Sequence, residues 1–189
     1  MSLASVVRIV SGLFLVSEVA LAVFKRARLR TAEVRDRGSM RTLWVVIAIS
    51  VTLATLARRV PFGRIRAGGP WISIAALVLL SVGLAIRWAA IVALGRFFTV
   101  DVAIHHDHRV IRTGPYRFVR HPSYSGLLLA FLGVGVAFSS WLALLVLMVP
   151  IAIALAARIA TEERALHVAL GPEYAEYCSR TRRLVPILF

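Results

Sequence analysis

The residues Arg120, His121, Pro122, Ser123, Tyr124, Ser125 and Gly126 put a cation, an imidazole, two hydroxyls and a phenol at the mouth of an apolar run. Further along stand Arg158, the adjacent carboxylates Glu162 and Glu163, and the phenols Tyr174 and Tyr177. Such a set has definite chemical capacities. A carboxylate or an imidazole binds a cation or moves a proton, a guanidinium grips a carboxylate or phosphate through its planar fork, and aromatic faces attract cations. A second cluster, His105, His106, Asp107 and His108, invites a metal reading. Adjacent positions rarely converge on one ion, however, and no partner cluster stands out, so no metal site is assigned. Cys178 is the single cysteine, which excludes a disulfide framework and a cysteine-rich metal centre.

These groups sit in a chain that should be shedding polarity. Of its 189 residues, 59% are hydrophobic, and its mean hydropathy is +0.81. That is above the apolar share of ordinary soluble domains, about 45–50%. The apolar runs predict an all-α integral membrane bundle of about five spans, near 5–24, 42–57, 71–94, 124–138 and 141–157. Trp71 is expected to anchor at an interface. The fourth run is short, and Ser139-Ser140-Trp141 separates it from the fifth, so the last two read as a tight hairpin that crosses incompletely. Pro150 is expected to kink the fifth. No cleavage site follows the first run, which is read as a retained span.

Charge orders these spans. Seven basic residues fall in 25–41, five in 95–123 and five in 158–183, so 17 of the 23 share one face. The positive-inside bias makes that face cytoplasmic, with the N-terminus outside and the C-terminus inside, and the expected location is the plasma membrane of a prokaryote. The formal charge of +14 is thereby explained by orientation and by anionic membrane lipids as partners, rather than by nucleic acid. The organisation expected is two N-terminal spans with their loops over 1–70, followed by a core over 71–189. That core would comprise the third span, a loop at 95–124, a hairpin at 124–157 and C-terminal helices at 158–186.

Singly, each polar residue has a plain structural use. Arg117 and Arg120 suit lipid phosphates, Tyr116 and Tyr124 suit interfacial anchors, and Glu162 and Glu163 suit a solvated helix surface. Arg158 and Glu162, four residues apart, form a pair of little value if exposed. Gly114-Pro115 reads as a turn, and Gly171-Pro172 as a helix break. Arg87, inside the third span, demands a partner or a function, because a charge in the bilayer is costly. Their gathering on one face tips the balance towards a site.

The ordered series H-x-V-I-x-x-G-P-Y-R-x-x-R-H-P-S-Y-S-G (108–126), R-x-x-x-E-E-x-x-L (158–166) and G-x-E-Y-x-x-Y (171–177) resembles the isoprenylcysteine carboxyl methyltransferase family. It is similar also to the wider group of membrane phospholipid methyltransferases. The resemblance covers roughly 95–186, about half the chain. It implies a helical membrane enzyme using S-adenosylmethionine, held in a cytoplasmic pocket between the loop before the hairpin and the helix after it. By the same resemblance, His108, Arg109, Val110 and Ile111 would lie along the cofactor. Tyr116, His121, Pro122, Ser123 and Tyr124 would continue that contact, and Glu162 would hold its amino group. Arg158 would face the methyl acceptor, and Asp101 marks a further polar contact.

The residue types suit that implication. The cofactor offers an ammonium, a carboxylate, ribose hydroxyls, an adenine ring and a sulfonium, which call for an anion, donors and aromatic faces. The acceptor would be a lipophilic or lipidated molecule entering from the bilayer, and a carboxylate is favoured because Arg158 can hold it bidentately. A carboxylate is already ionised at neutral pH and needs no base. For an aminolipid or a quinone-like phenol, Glu162, Glu163 or His121 would supply one. Two readings of other classes remain: a membrane NADPH-dependent reductase of sterol or isoprenoid double bonds, and a non-catalytic protein whose arginines bind anionic lipid.

Overall fold

A computed structural model describes residues 2–26, 33–36, 38–65, 69–95, 102–104 and 110–185. Five helices carry the fold: α1 (Leu3–Arg26), α2 (Gly38–Ala57), α3 (Gly69–Leu94), α4 (Pro122–Ala137) and α5 (Trp141–Arg180). The helical expectation holds apart from one short antiparallel pairing of β1 (Glu33–Asp36) with β2 (Val102–Ile104), bulged between Val34 and Asp36. Four helices, α1, α2, α3 and α5, are long and apolar enough to cross a membrane.

Their packing is that of a bilayer protein. Large apolar side chains such as Leu13, Val92 and Ile153 face outward, where lipid rather than water meets them. The inner contacts use small residues, which let backbones approach and so gain dispersion contact that lipid would otherwise supply. A methyl group on Gly126 would lie 2.5 Å from the Arg87 amide nitrogen, and one on Gly83 would lie 2.4 Å from that of Ala130. Gly126, the last residue of the polar stretch, is thus a packing residue that seats α4 on α3. Around this seam Leu80, Leu127, Ala130, Phe131 and Leu147 are buried, with Phe14 of α1 edge-on to Phe131.

The hairpin turn packs against the connection between α2 and α3. Sixteen residues of α4 rise only about 24 Å, short of a hydrocarbon core of about 30 Å. Yet the turn that follows meets the α2–α3 connection, through Trp141 N to Gly63 O and Ile65 N to Ser139 O, both 2.9 Å. Ser139 takes a positive φ of 50° there, and the Ser140 side chain caps α5 by accepting from Ala143 N. Trp71, Trp141 and Phe62 are exposed around this end, as interfacial aromatics would be. In α5 the backbone leaves helical values at Gly171 (φ 53°, ψ −129°), where the Gly171-Pro172 break was expected, and keeps them at Pro150.

At the opposite end the elements predicted to share a face come together. The β1–β2 pairing joins the segment after α1 to that after α3. The chain before α4 runs beside residues after α5, with Arg120 N bonded to Arg182 O at 2.7 Å and His121 N to Arg183 O at 2.9 Å.

Candidate functional site

Three layers of polar contacts are stacked where α4 begins. The innermost lies among the spans. Glu18 of α1 and Arg87 of α3 form a buried, two-pronged ion pair, and Arg87 also donates to Ser123 O at 3.2 Å and Ser123 Oγ at 2.9 Å. The costly charge on Arg87 is therefore neutralised, and its spare donors hold the first turn of α4. Pro122 opens that turn with no amide hydrogen to satisfy, and His121 precedes it.

The middle layer centres on the Tyr124 hydroxyl. It donates to Glu162 Oε2 at 2.7 Å and accepts from Arg158 Nε at 3.4 Å. Arg158 Nη1 donates to Ser39 Oγ of α2 at 2.5 Å. Arg158 is only 1% exposed, so the expectation of an exposed Arg158–Glu162 pair is corrected: one residue is buried, and the phenol joins them. Glu162 is half-buried. The Tyr124 ring stacks on His121, centroids 5.6 Å apart.

The outer layer is an anchor. Glu163 accepts from Arg120 Nε at 2.9 Å, Arg183 Nε at 3.0 Å and Arg183 Nη2 at 2.9 Å, and lies 3.4 Å from His121 Nε2. Burial alone would raise its pKa. Hydrogen bonds from His121 and Arg183 and the charges of His121 and Arg120 overcome that and hold it at about 2. Arg120 Nη1 closes the knot on Cys178 O at 2.9 Å and Thr181 O at 2.6 Å. Neither residue plays its anticipated surface part: Arg120 is committed to Glu163 rather than to lipid phosphate, and Glu163 is buried rather than solvating its helix.

Around the rim, Tyr116 sits buried in the turn Gly114–Arg117, where Gly114 takes a φ of +59°. Burial first, then the charge of Glu162, raises its pKa, so it serves as a neutral phenol and not a base. Tyr177 Oη reaches Tyr116 O at 2.6 Å, tying that turn to the end of α5. Tyr174 stands beside it, and its buried hydroxyl has no partner among the described residues.

The predicted site residues thus separate by position. Tyr116, Tyr124, Arg158 and Glu162 converge, with His121 stacked behind Tyr124. Val110 and Ile111 are half-buried on the approach to the turn. Pro122 and Ser123 are buried beneath, Ser123 engaged by Arg87. His108 and Arg109 lie outside the described residues, as do Asp101, His105, His106 and Asp107. Glu18, Ser39 and Glu163 enter the site region without having been singled out for these contacts. An acidic residue within an apolar span was the available signal for Glu18; Ser39 carried none.

The fold and this constellation define a helical membrane protein with a polar site at one end of the bundle. A model of the isoprenylcysteine carboxyl methyltransferase family matches residues 75–168, close to half of the chain. It is 34% identical over 120 residues to protein-S-isoprenylcysteine O-methyltransferase A of Arabidopsis thaliana, covering 62% of this chain and 61% of the relative. A probable protein-S-isoprenylcysteine O-methyltransferase of Oryza sativa subsp. indica is 33% identical over 120 residues, 62% of this chain and 63% of the relative. The cobalt-zinc-cadmium resistance protein CzcN of Cupriavidus metallidurans is 33% identical over 151 residues, 77% of this chain and 63% of the relative. The chain therefore spans about three-fifths of the length of these relatives. The solved structure of a eukaryotic intramembrane Ras methyltransferase, an isoprenylcysteine carboxyl methyltransferase, shares the fold. Its TM-score is 0.59 at 22% identity, over 79% of this chain and 51% of that one.

Proposed function

We propose that the chain is an S-adenosylmethionine-dependent methyltransferase that O-methylates the carboxylate of a lipophilic acceptor, at the cytoplasmic end of the bundle. One observation carries the reading: the Tyr124 hydroxyl ties a half-buried carboxylate, Glu162, to a wholly buried guanidinium, Arg158, where the spans end.

The side chains fit that cofactor by their chemistry. Glu162 supplies an anion for an ammonium, the His121–Tyr124 stack and Tyr116 supply aromatic faces for a sulfonium and an adenine, and Val110 and Ile111 supply apolar flank. When bound, the cofactor contributes an electrophilic methyl group. The protein's part is to place an acceptor oxygen in line with it and keep water out. The contacts to Ser39 and Tyr124 fix the plane of the Arg158 fork, which then orients an acceptor carboxylate. Glu163 holds its neighbours rather than moving a proton, because both its oxygens are engaged by Arg120 and Arg183 and its lowered pKa makes it a poor proton acceptor.

Calorimetry on the purified protein with S-adenosylmethionine and with NADPH tests the class, and transfer of a labelled methyl group to lipid extracts tests the reaction. Binding of the first cofactor with base-labile methyl incorporation into the lipid fraction is expected; binding of NADPH alone would sink the reading. A reporter active only in the cytoplasm, fused after Phe189, should work if this end faces the cytoplasm, and an inactive, well-expressed fusion would reverse the orientation.

A further inference from the structure

The end of the bundle away from Glu162 carries charge that the polar layers do not use. The connection from α2 to α3 holds Arg58, Arg59, Arg64 and Arg66, and no Asp or Glu occurs from 37 to 100 or from 108 to 161. Glu18, the only acid of α1 to α4 in the sequence, is taken by Arg87. With the site end cytoplasmic, the positive-inside bias disfavours arginine here. The cluster therefore works against the orientation it sits in, and charge bias does not account for it.

Local structure fixes the level of these arginines. The chain leaves α2 in a tight turn, Arg59 N bonding Leu56 O at 3.0 Å and Val60 N bonding Ala57 O at 3.1 Å. It then pairs with the turn between α4 and α5, Arg64 standing opposite Ser140. Arg58 lies over the Phe138 ring of that turn, its guanidinium carbon 5.7 Å from the centroid. Stacking uses the face of a guanidinium and leaves its in-plane N–H groups for a ligand. Arg58, Arg59 and Arg64 are exposed, while Arg66 lies outside the described residues. Exposed Phe62, Trp71 and Trp141 set this end at the boundary of hydrocarbon and headgroups.

We propose that this end is a binding surface for an anionic phospholipid of the leaflet remote from the site, its phosphate held by Arg58, Arg59 and Arg64. A guanidinium fork meets a phosphate bidentately. A zwitterionic headgroup would bring its own cation to a place with no acid to receive it, whereas the headgroup of phosphatidylglycerol brings none. The acyl chains then lie along the outward apolar faces, flanked by Phe62 and Trp141. Arg58 and Arg64 both touch the hairpin turn, so a lipid seated on them braces α4 and α5 from the end opposite Tyr124. The surface stands independently of the methyltransferase reading.

The test uses the full chain in phosphatidylcholine nanodiscs doped with phosphatidylglycerol or phosphatidylcholine that carries a diazirine close to its glycerol. After irradiation, peptides containing Phe62 and Trp141 should take label from phosphatidylglycerol at least about tenfold over phosphatidylcholine, since each arginine at an anionic surface contributes about fivefold. Arg58→Gln combined with Arg64→Gln should bring that preference to within about twofold of parity. Should the double variant fail to fold, Arg59→Gln alone should lower it about fivefold. Arg117→Gln, an exposed change at the other end, should leave it unaltered. Excess inorganic phosphate should not displace the label; displacement would make this a site for the free anion and overturn the lipid assignment. Equal labelling by the two lipids in the wild type, or a preference that Arg117→Gln removes as fully as the double change, would overturn the inference, because net charge alone would then be drawing the lipid.

Discussion

Glu162 and Glu163 are neighbours in sequence and opposites in use. Glu163 is ringed by Arg120, Arg183 and His121, which keep it ionised down to about pH 2. Glu162 is half-buried and shares a phenol with Arg158. The saturated carboxylate ties three chain segments together and has little left to offer a ligand. Glu162 is the one that the proposed reading assigns to a cofactor's ammonium. A helical step of about 100° is enough to send two identical side chains into different surroundings, one a saturated knot and the other a sparser cluster.

The largest expected effect comes from cutting the knot. Glu163→Gln removes the carboxylate from two arginines, and breaking one partner out of a buried pair typically costs about 3–5 kcal/mol. The variant should lose tens of per cent of folded yield or unfold at a clearly lower temperature in detergent. Its wild-type counterpart should show a matching acid sensitivity. The folded pKa lies below the ordinary value of 4.5, so the stabilisation is complete above about pH 4.5 and drains away as pH falls towards 2. The displacement corresponds to roughly 3 kcal/mol, an upper bound because Arg183 is partly exposed. Thermal unfolding at stepped pH checks this, and the slope should flatten in Glu163→Gln. Equal slopes would mean the knot is not what acid breaks.

Arg158→Lys comes next. It keeps the charge but loses the fork, and misplacing a reacting group costs about a hundredfold in rate. Methyl transfer should fall by that order while cofactor affinity holds. An unchanged rate would make Arg158 a buried strut. Glu162→Gln should do the reverse, weakening S-adenosylmethionine by about 1.5–3 kcal/mol, the worth of a charge-assisted hydrogen bond, with little change in unfolding temperature. Should both glutamate variants lose stability equally, the division between the two carboxylates fails.

Much of this arrangement was legible from apolar runs and charge. The five helices, the shared end of the basic loops and the break at Gly171 follow from hydropathy, positive charge and a Gly-Pro pair, each a local signal. The division of labour between the glutamates was not, because it depends on Arg183 and on the carbonyls of Cys178 and Thr181, reached only when the chain after α5 folds back beside Arg120. The same holds for Ser39, which is 119 residues from Arg158 in sequence and meets it only because α2 packs along α5. Gly126 read as the end of a reactive-looking motif, while its lack of a side chain serves the α3–α4 seam. Motif spacing marks where polar groups gather; it does not say which of them are already satisfied.

The smallest effect probes the link between the two working residues. Tyr124→Phe removes one hydroxyl that donates to Glu162 and accepts from Arg158, and leaves the ring on His121. Each such bond contributes about 0.5–1.5 kcal/mol. Glu162 is half-exposed and can turn to water, so its share of the loss is small, while buried Arg158 retains Ser39. Cofactor affinity and turnover should therefore each fall only a few-fold, well short of either charged variant. Combining Tyr124→Phe with Glu162→Gln should cost less than the two losses added, because the second change finds the contact already gone. Strict additivity would mean the phenol acts on the cofactor directly rather than by holding the carboxylate. The double-variant comparison, read by calorimetry and methyl transfer on one preparation, separates these two roles.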